Sequence, residues 1–458
     1  MLKGLEVSEV RLSELKIENR TFRIDSNFFS KRILELDKEI KSREHFFIPE
    51  NKIVSGPFGS SLTSDSYLTE GIPFIRIENI KNGFSISKEN MIYISEKDNT
   101  RLKSSQLKLD DLILSKVGNT IGFYARVDEE INNCNISENN IGIKLDGFST
   151  EKKHYILTYL NSKFGFALTY RRVSGNAQPK LNVFDVSEIP IPEMTDEFME
   201  NISSKIRRSK AKLSESKSLY AQAEDTLLSE LGLKDWQPKN EAVSIKTFSD
   251  FASSGRLDAE FYQSKYDKIE AKIKAVPFKT IAELQVFNAR GVQPDYISNG
   301  TVPVVNSKHI LENGLDYDNF EKTTTEFLKQ NGRATIKEND ILIYTTGANI
   351  GRAQPYLISD LAVASNHVNI LRLKEVNPIY AALVLNSKIG RLQTEKLCTG
   401  SAQAELYPSD IEKFLIPILP QEIQKQIAEL IQTSFALRQE SKQLLESAKL
   451  AVEAEIER

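Results

Sequence analysis

Two stretches of this chain read as long helices that must lie against something. Glu193 to Leu231 repeats its apolar residues in sevens, Met199, Ile206, Leu213, Tyr220 and Leu227, with Ile202 and Ala223 beside them. That leaves one narrow greasy seam on a charged rod, the pattern of a helix that pairs. Gln421 to Arg458 draws the same stripe with Ile427, Ile431, Leu444, Leu445, Ala448 and Val452. Laid on itself at a shift of 225, the chain pairs Ile202 with Ile427, Ile206 with Ile431, and Glu215, Ser216, Lys217 with Glu440, Ser441, Lys442. Residues 161–220 and 386–445 share 21 identities in 60 without a gap, where chance gives about four, so the chain contains a duplication.

The duplication continues ahead of the helices. Arg23, Asp25 and Phe28 recur as Arg256, Asp258 and Phe261, each followed by an amphipathic helix, with Ile33, Leu36 and Ile40 on one face in the first copy. Phe47 to Leu145 is rich in Ile, Phe, Tyr and Thr and is broken by Gly, Asn and Ser every eight to twelve residues, which predicts many short strands. Asp111, Gly118 and Gly122 return as Asp340, Gly347 and Gly351 at a constant shift of 229, and Pro73 returns as Pro303. Leu112 to Ser115 and Ile341 to Tyr344 are β-prone runs leading into a Gly-x-x-x-Gly turn. Then come YILTYLNSKFG and YAALVLNSKIG, with Gly165 and Gly390 expected where a helix stops, and the polar turns VSGNAQPKL and CTGSAQAEL. Pro190, Pro192, Pro417 and Pro420 form a stiff hinge that launches each long helix.

The expected class is α+β: two mixed α/β domains related by an internal repeat and separated by two long antiparallel coiled-coil helices. The expected boundaries are an N-terminal segment and leading helix over 1–40, a first domain over 41–192 and a long central helix over 193–231. A linker and second leading helix over 232–273, a second domain over 274–419 and a long C-terminal helix over 420–458 complete the plan. Leu231 to Glu241 is the clear linker. Each rod is about 50 Å long at about 1.5 Å per residue, and their antiparallel pairing holds the two globular domains at opposite ends. Met199, Ile202, Ile206, Leu213, Tyr220 and Leu227 are expected to meet Ile427, Ile431, Leu445 and Val452.

Composition narrows the function classes. The 458 residues are 40% hydrophobic and 27% charged, with net charge −3, so bulk electrostatics does not announce a nucleic-acid binder and positive charge must be local. No apolar run is long enough to span a bilayer and the opening residues do not read as a signal peptide, so the expectation is a cytoplasmic protein without a membrane partner. Cys134 and Cys398 have no metal-ligand spacing, and His45, His154, His309 and His367 fall at unrelated places in the repeat. Phosphate-loop, H-E-x-x-H, G-x-S-x-G and DNA amino-methyltransferase tetrapeptide motifs are lacking. The carboxylates of Asp37 to Lys41 have solvated-face spacing. No catalytic constellation and no metal site are expected.

The repeat, the paired long helices and the loops GPFGSSL, SGNAQPKL and TGSAQAEL resemble the specificity subunit of type I restriction-modification systems. The resemblance covers essentially the whole chain. It implies a non-catalytic subunit whose two target-recognition domains each read one half of a split, asymmetric double-stranded DNA sequence. It also implies helices that space the halves and dock two methylation subunits carrying S-adenosylmethionine, with restriction subunits joining in a cleaving complex.

Reading base edges needs hydrogen-bonding side chains on loops, with cations and backbone amides for phosphates. In the first half these are Ser60 and Ser61 of the Gly56–Leu62 loop, Lys116 and Asn119 around Gly118, and Arg171, Arg172, Asn176, Gln178 and Lys180. The second half offers Arg290, Gln293, Asn306, Lys308, Thr346, Asn349, Arg352, Ser401 and Gln403, with Ala404 and Glu405 where the first has Pro179 and Lys180. Equal frames with unequal loops predict two different half-sites. The basic run Lys205 to Lys212 reads as a solvated face, and Phe435 as a docking point for a partner. Two other readings remain open: a two-domain protein-binding scaffold on a coiled coil, and an autonomous nuclease.

Overall fold

The computed structural model describes the chain apart from residues 1–8, 14–18, 21, 58, 81–82, 119, 176–178, 239–240, 242 and 401–403. Two compact units emerge, Met1–Ala211 with Glu440–Arg458, and Lys212–Gln439. The long helices Asp196–Glu230 and Gln421–Ile456 therefore each contribute to both units.

The first unit opens with α1 (Lys31–Ser42) and carries strands β1 (His45–Phe46), β2 (Ile53–Ser55), β3 (Ile72–Ile75), β4 (Ile92–Ile94), β5 (Leu112–Ser115), β6 (Tyr124–Arg126), β7 (Asn135–Ile136) and β8 (Asn140–Ile143). An antiparallel sheet runs β2-β8-β5-β6, and a second runs β4-β3-β7 with β3 and β7 parallel. β5 is buried on both faces: Leu112 and Leu114 join the core under α2 (Thr150–Leu160), while Ile113 joins Ile75, Ala125 and Ile136 on the other side. A strand covered twice reads as a continuous apolar run, which is why LILS was legible as a strand without alternation. α3 (Lys163–Arg171) and β9 (Ile191–Pro192), which pairs with β1, complete the unit.

In the second unit α4 (Ser264–Lys274) precedes β10 (Phe278–Thr280) and β11 (Gln285–Arg290). The other strands are β12 (Val302–Val305), β13 (Ile310–Leu311), β14 (Gly314–Leu315), β15 (Glu321–Thr323), β16 (Thr335–Ile336), β17 (Ile341–Tyr344), β18 (Ala353–Pro355), β19 (Ala362–Ala364) and β20 (Val368–Leu373). One sheet runs β11-β20-β17-β18, and the other β15-β12-β19-β16 with β12 and β19 parallel. Here too β17 splits its residues, with Ile341 and Ile343 in one core and Leu342 in the other. α5 (Pro378–Asn386), α6 (Lys388–Leu397) and β21 (Leu415–Pro417), paired with β10, follow.

The repeated Leu-Asn-Ser-Lys does the same work in both units. The Asn161 side chain accepts from the Tyr124 N–H at 3.0 Å and donates to its carbonyl at 2.8 Å, mimicking one more strand residue beside β6. Asn386 treats Ala353 of β18 identically, at 2.9 and 2.6 Å. Ser162 and Ser387 then cap the N-termini of α3 and α6. The helices therefore stop before the serines, and Gly165 and Gly390 sit in the first turn of the next helix, not at the end of the previous one. A Cβ there would press into the carbonyl oxygens of Tyr159 and Leu385. Of the hinge prolines, Pro192 ends β9 and Pro417 ends β21 while Pro190 and Pro420 lie outside the strands, and the carbonyls of Pro192, Pro190 and Pro417 accept from the hydroxyls of Tyr155, Tyr159 and Tyr380 at 2.8 Å.

Within the first unit Met199, Ile202 and Ile206 share a core with Ala448, Val452 and Ile456, and Leu445 packs at its edge. Lys205 reaches the Ser447 hydroxyl at 2.7 Å and Ser209 the Ser441 hydroxyl at 2.9 Å, so the two helical segments run antiparallel there. Within the second unit Ala223 and Leu227 share a core with Ile427 and Ile431, and Ser216 meets Ser434 at 3.0 Å. Leu213 and Tyr220 are only half-buried, whereas Ser203, Ser209, Ser216, Ser434 and Ser441 are buried in the same stripes. Small hydroxyls fit a tight seam because each finds a bond: Ser434 also donates to the Ser216 carbonyl at 2.7 Å.

Two surface expectations change. Asp37 is buried, 2.8 Å from Lys41 and 3.0 Å from Arg171, so its carboxylate belongs to an internal ion network and not to a solvated face. Phe435 packs against the second unit's core and over Gly314, which leaves it a packing residue and not an open docking point. In the basic run, Arg207 pairs with Glu200 and Glu151, and Lys210 with Glu129. Among the described residues no helix is long and apolar enough to cross a membrane.

Candidate nucleic-acid interface

In the first unit four loops converge where β5 runs out. The backbone of Lys116 donates to the Asn139 carbonyl at 2.7 Å and accepts from the Leu181 N–H at 2.9 Å, and Val117 bridges Lys180. Gly118 and Gly122 turn the chain with φ of 86° and 96°, and the Ser115 and Thr120 hydroxyls meet across the bend at 2.7 Å. The Gly56–Leu62 loop is tied to the same place, Gly56 N–H to the Asn140 carbonyl at 3.2 Å and Gly59 N–H to Glu138 Oε2 at 2.6 Å. Ser61 is half-buried in a short 3₁₀ turn that also contains Ser60. Beside them a cleft of about 240 Å³ is lined by Leu62, Tyr67, Phe74, Arg76 and Glu138 among others.

The seven cations and amides expected here divide sharply. Lys116 is half-buried, with Nζ 3.3 Å from the Ser55 hydroxyl; burial first, and then the charge of Lys180, push its pKa down, while Glu138 pushes it up. Lys180 is exposed. Arg171 and Arg172, by contrast, are 4% and 3% exposed. Arg171 donates to the Phe28 carbonyl at 3.0 Å and pairs with Asp37, and Arg172 pairs with Glu188. Their placement corrects the expectation of three outward cations: a guanidinium this buried must be paired, and these two tie α3 to α1 and to the residues before β9. Asn119, Asn176 and Gln178 lie outside the described residues.

The second unit builds the same convergence from different side chains. Thr346 bridges Glu405, the Leu406 N–H donates to the Thr345 carbonyl at 2.9 Å, and Gly347 and Gly351 again have positive φ. Arg290, at the end of β11, lies over the Tyr407 ring at 4.5 Å, donates to the Leu406 carbonyl at 3.0 Å and sits 3.8 Å from Glu405. Thr346 is buried, with its hydroxyl 3.3 Å from His367. Gln293 is exposed. Asn306 and Lys308 do not project freely: with His309 they converge on Glu321, Asn306 at 2.8 Å and His309 Nε2 at 3.1 Å. Arg352 bonds Asn349 at 2.9 Å and the Ile310 carbonyl at 3.4 Å. Ser401 and Gln403 lie outside the described residues.

Sequence reading missed Ser55, Glu138, Glu321, His367 and Tyr407. Ser55, which directly precedes the Gly56–Leu62 loop, and Tyr407, which directly follows the second polar loop, carried a local signal; the others arrive through strand pairing.

Residues 278–447 match the family model described as type I restriction modification DNA specificity domain. No curated protein matches the sequence. Among solved structures, the type I restriction-modification S subunit from M. genitalium is 12% identical over 90% of this chain and 95% of its own, with a TM-score of 0.41. The HsdS subunit from Thermoanaerobacter tengcongensis is 14% identical over 91% and 94%, with a TM-score of 0.27. Residues 278–447, which span most of the second unit, are thus similar to the type I restriction modification DNA specificity domain.

Proposed function

We propose that this chain is the non-catalytic DNA-reading subunit of a type I restriction-modification complex. Each unit reads one half of a bipartite, asymmetric target, the long helices set the spacing and dock two methylation subunits, and S-adenosylmethionine is held by those partners. A restriction subunit joins when the complex cleaves. The supporting observation is that both units converge the same loops on the run-out of the same strand, β5 or β17, and then differ in the side chains displayed there: Lys116 and Lys180 against Thr345, Glu405 and Arg290. A common frame with unlike loops is what two readers of unlike half-sites need, since frame contacts position and loop side chains discriminate.

Methylome sequencing of cells with and without this chain tests the reading. A split motif that loses its methylation on deletion supports it; unchanged methylation in cells that carry the methylation subunit would overturn it. A gel shift with the chain plus that subunit, retarding duplex DNA, separates it from a protein-binding scaffold.

A further inference from the structure

The two convergences differ most in charge. In the first unit the backbone bridge between Val117 and Lys180, with the Leu181 N–H on the Lys116 carbonyl, holds two lysines on adjoining chain segments. Among the described residues neither ammonium makes an ion pair, and the one hydrogen bond to either is the long contact from Lys116 to Ser55. The carboxylate acting on Lys116 is Glu138, which is exposed and already accepts the Gly59 N–H. Two like charges fixed by backbone bonds repel each other until an anion lies between them.

The equivalent bridge of the second unit carries no such pair. Thr345 stands where Lys116 does and spends its hydroxyl on the His367 carbonyl at 3.0 Å, and Glu405 stands where Lys180 does. The cation there, Arg290, comes from the other strand and meets Glu405 and Tyr407.

We propose that Lys116 and Lys180 together hold a phosphodiester of the DNA backbone, and that the second unit has no such grip because Glu405 neutralises Arg290 at the corresponding place. This rests on the DNA-reading function proposed above. The two half-sites are then held differently, the first through charge on the backbone and the second with little net charge at this position. A phosphodiester fits because it is a single negative charge with two free oxygens, one for each ammonium.

The test measures binding of the full chain, assembled with its methylation subunit, to a random-sequence DNA duplex over a series of potassium chloride concentrations. The slope of log affinity against log salt falls by about one in magnitude for Lys116→Gln with Lys180→Gln, since each phosphate contact contributes about 0.9. Arg290→Gln leaves the slope unchanged, and Glu405→Lys, which recreates a cation pair, raises it by about one. If the double variant unfolds, the single Lys180→Gln decides, because that side chain is exposed. A wild-type slope in the lysine variants overturns the phosphate grip alone. Failure of the wild-type assembly to bind duplex DNA overturns the function itself.

Discussion

Arg171, Arg172 and Lys180 look alike on paper, three cations within ten residues, yet only the last reaches solvent. The difference is what surrounds each. Arg172 is buried against Glu188, so Arg172→Gln leaves a carboxylate without its partner and should cost about 3–5 kcal/mol of stability, read from denaturant unfolding, with the salt slope of DNA binding unchanged. A fully stable variant with a shallower slope would return Arg172 to the DNA face. His154 makes a second case. It is buried beside the Ser203 hydroxyl at 2.8 Å, and burial, aided by the charge of Arg126, lowers its pKa from 6.5 to about 4. Between those values the unfolded chain binds the extra proton and the folded one does not, so stability is full above pH 6.5 and is lost as pH falls to about 4. The loss should approach about 3 kcal/mol. His154→Gln should narrow its deficit relative to the wild type as the solution is acidified. A gap that stays constant with pH would mean that His154 does not titrate this way.

Elements were legible where local chemistry and burial agree. Leu112–Ser115 and Ile341–Tyr344 are the strands expected, because a run of aliphatics covered on both faces has few other folds open to it. The Asn-Ser pair after α2 and α5 was read as part of one helix, since nothing in YILTYLNSKFG says that the asparagine amide will close on a strand edge. That edge lies at Tyr124 or Ala353, far away in sequence. Gly165 and Gly390 follow from the same restart: they are required by a carbonyl five or six residues earlier. Gly390→Ala should therefore cost about 1–3 kcal/mol or more through overpacking against backbone, seen as a lowered unfolding midpoint. The neighbouring Arg391→Ala, at an exposed position, is the control that should move it little. Equal midpoints for the two would refute the close approach.

The units of the whole molecule are not the segments that sequence order suggests. Lys212–Gln439 is continuous and contains both halves of its own helical seam, so as a fragment it should unfold cooperatively. Residues 1–211 lack Ala448, Val452 and Ile456, which cover Met199, Ile202 and Ile206, and should be stable only when 440–458 is supplied. Calorimetry of the two fragments checks both statements, and a stable 1–211 would show that the C-terminal residues are dispensable. On the proposed function, one heptad added to each of the long helices lengthens the gap between recognised half-sites by about three base pairs, about 10 Å of helix against 3.4 Å per step. Methylome sequencing of such a variant gives the gap directly, and an unchanged gap would remove the helices from that role. By itself the sequence determined the duplication, the long helices, the strands Leu112–Ser115 and Ile341–Tyr344 and the loops that carry polar side chains. These are properties of periodicity and composition within a few turns of chain. Tertiary structure alone decided which cations face outward, which serines line the helix seams, and that Lys180 meets Lys116 where Glu405 meets Arg290. Those facts depend on strand pairing between distant residues, and a charged group takes its role from the partner that folding sets beside it.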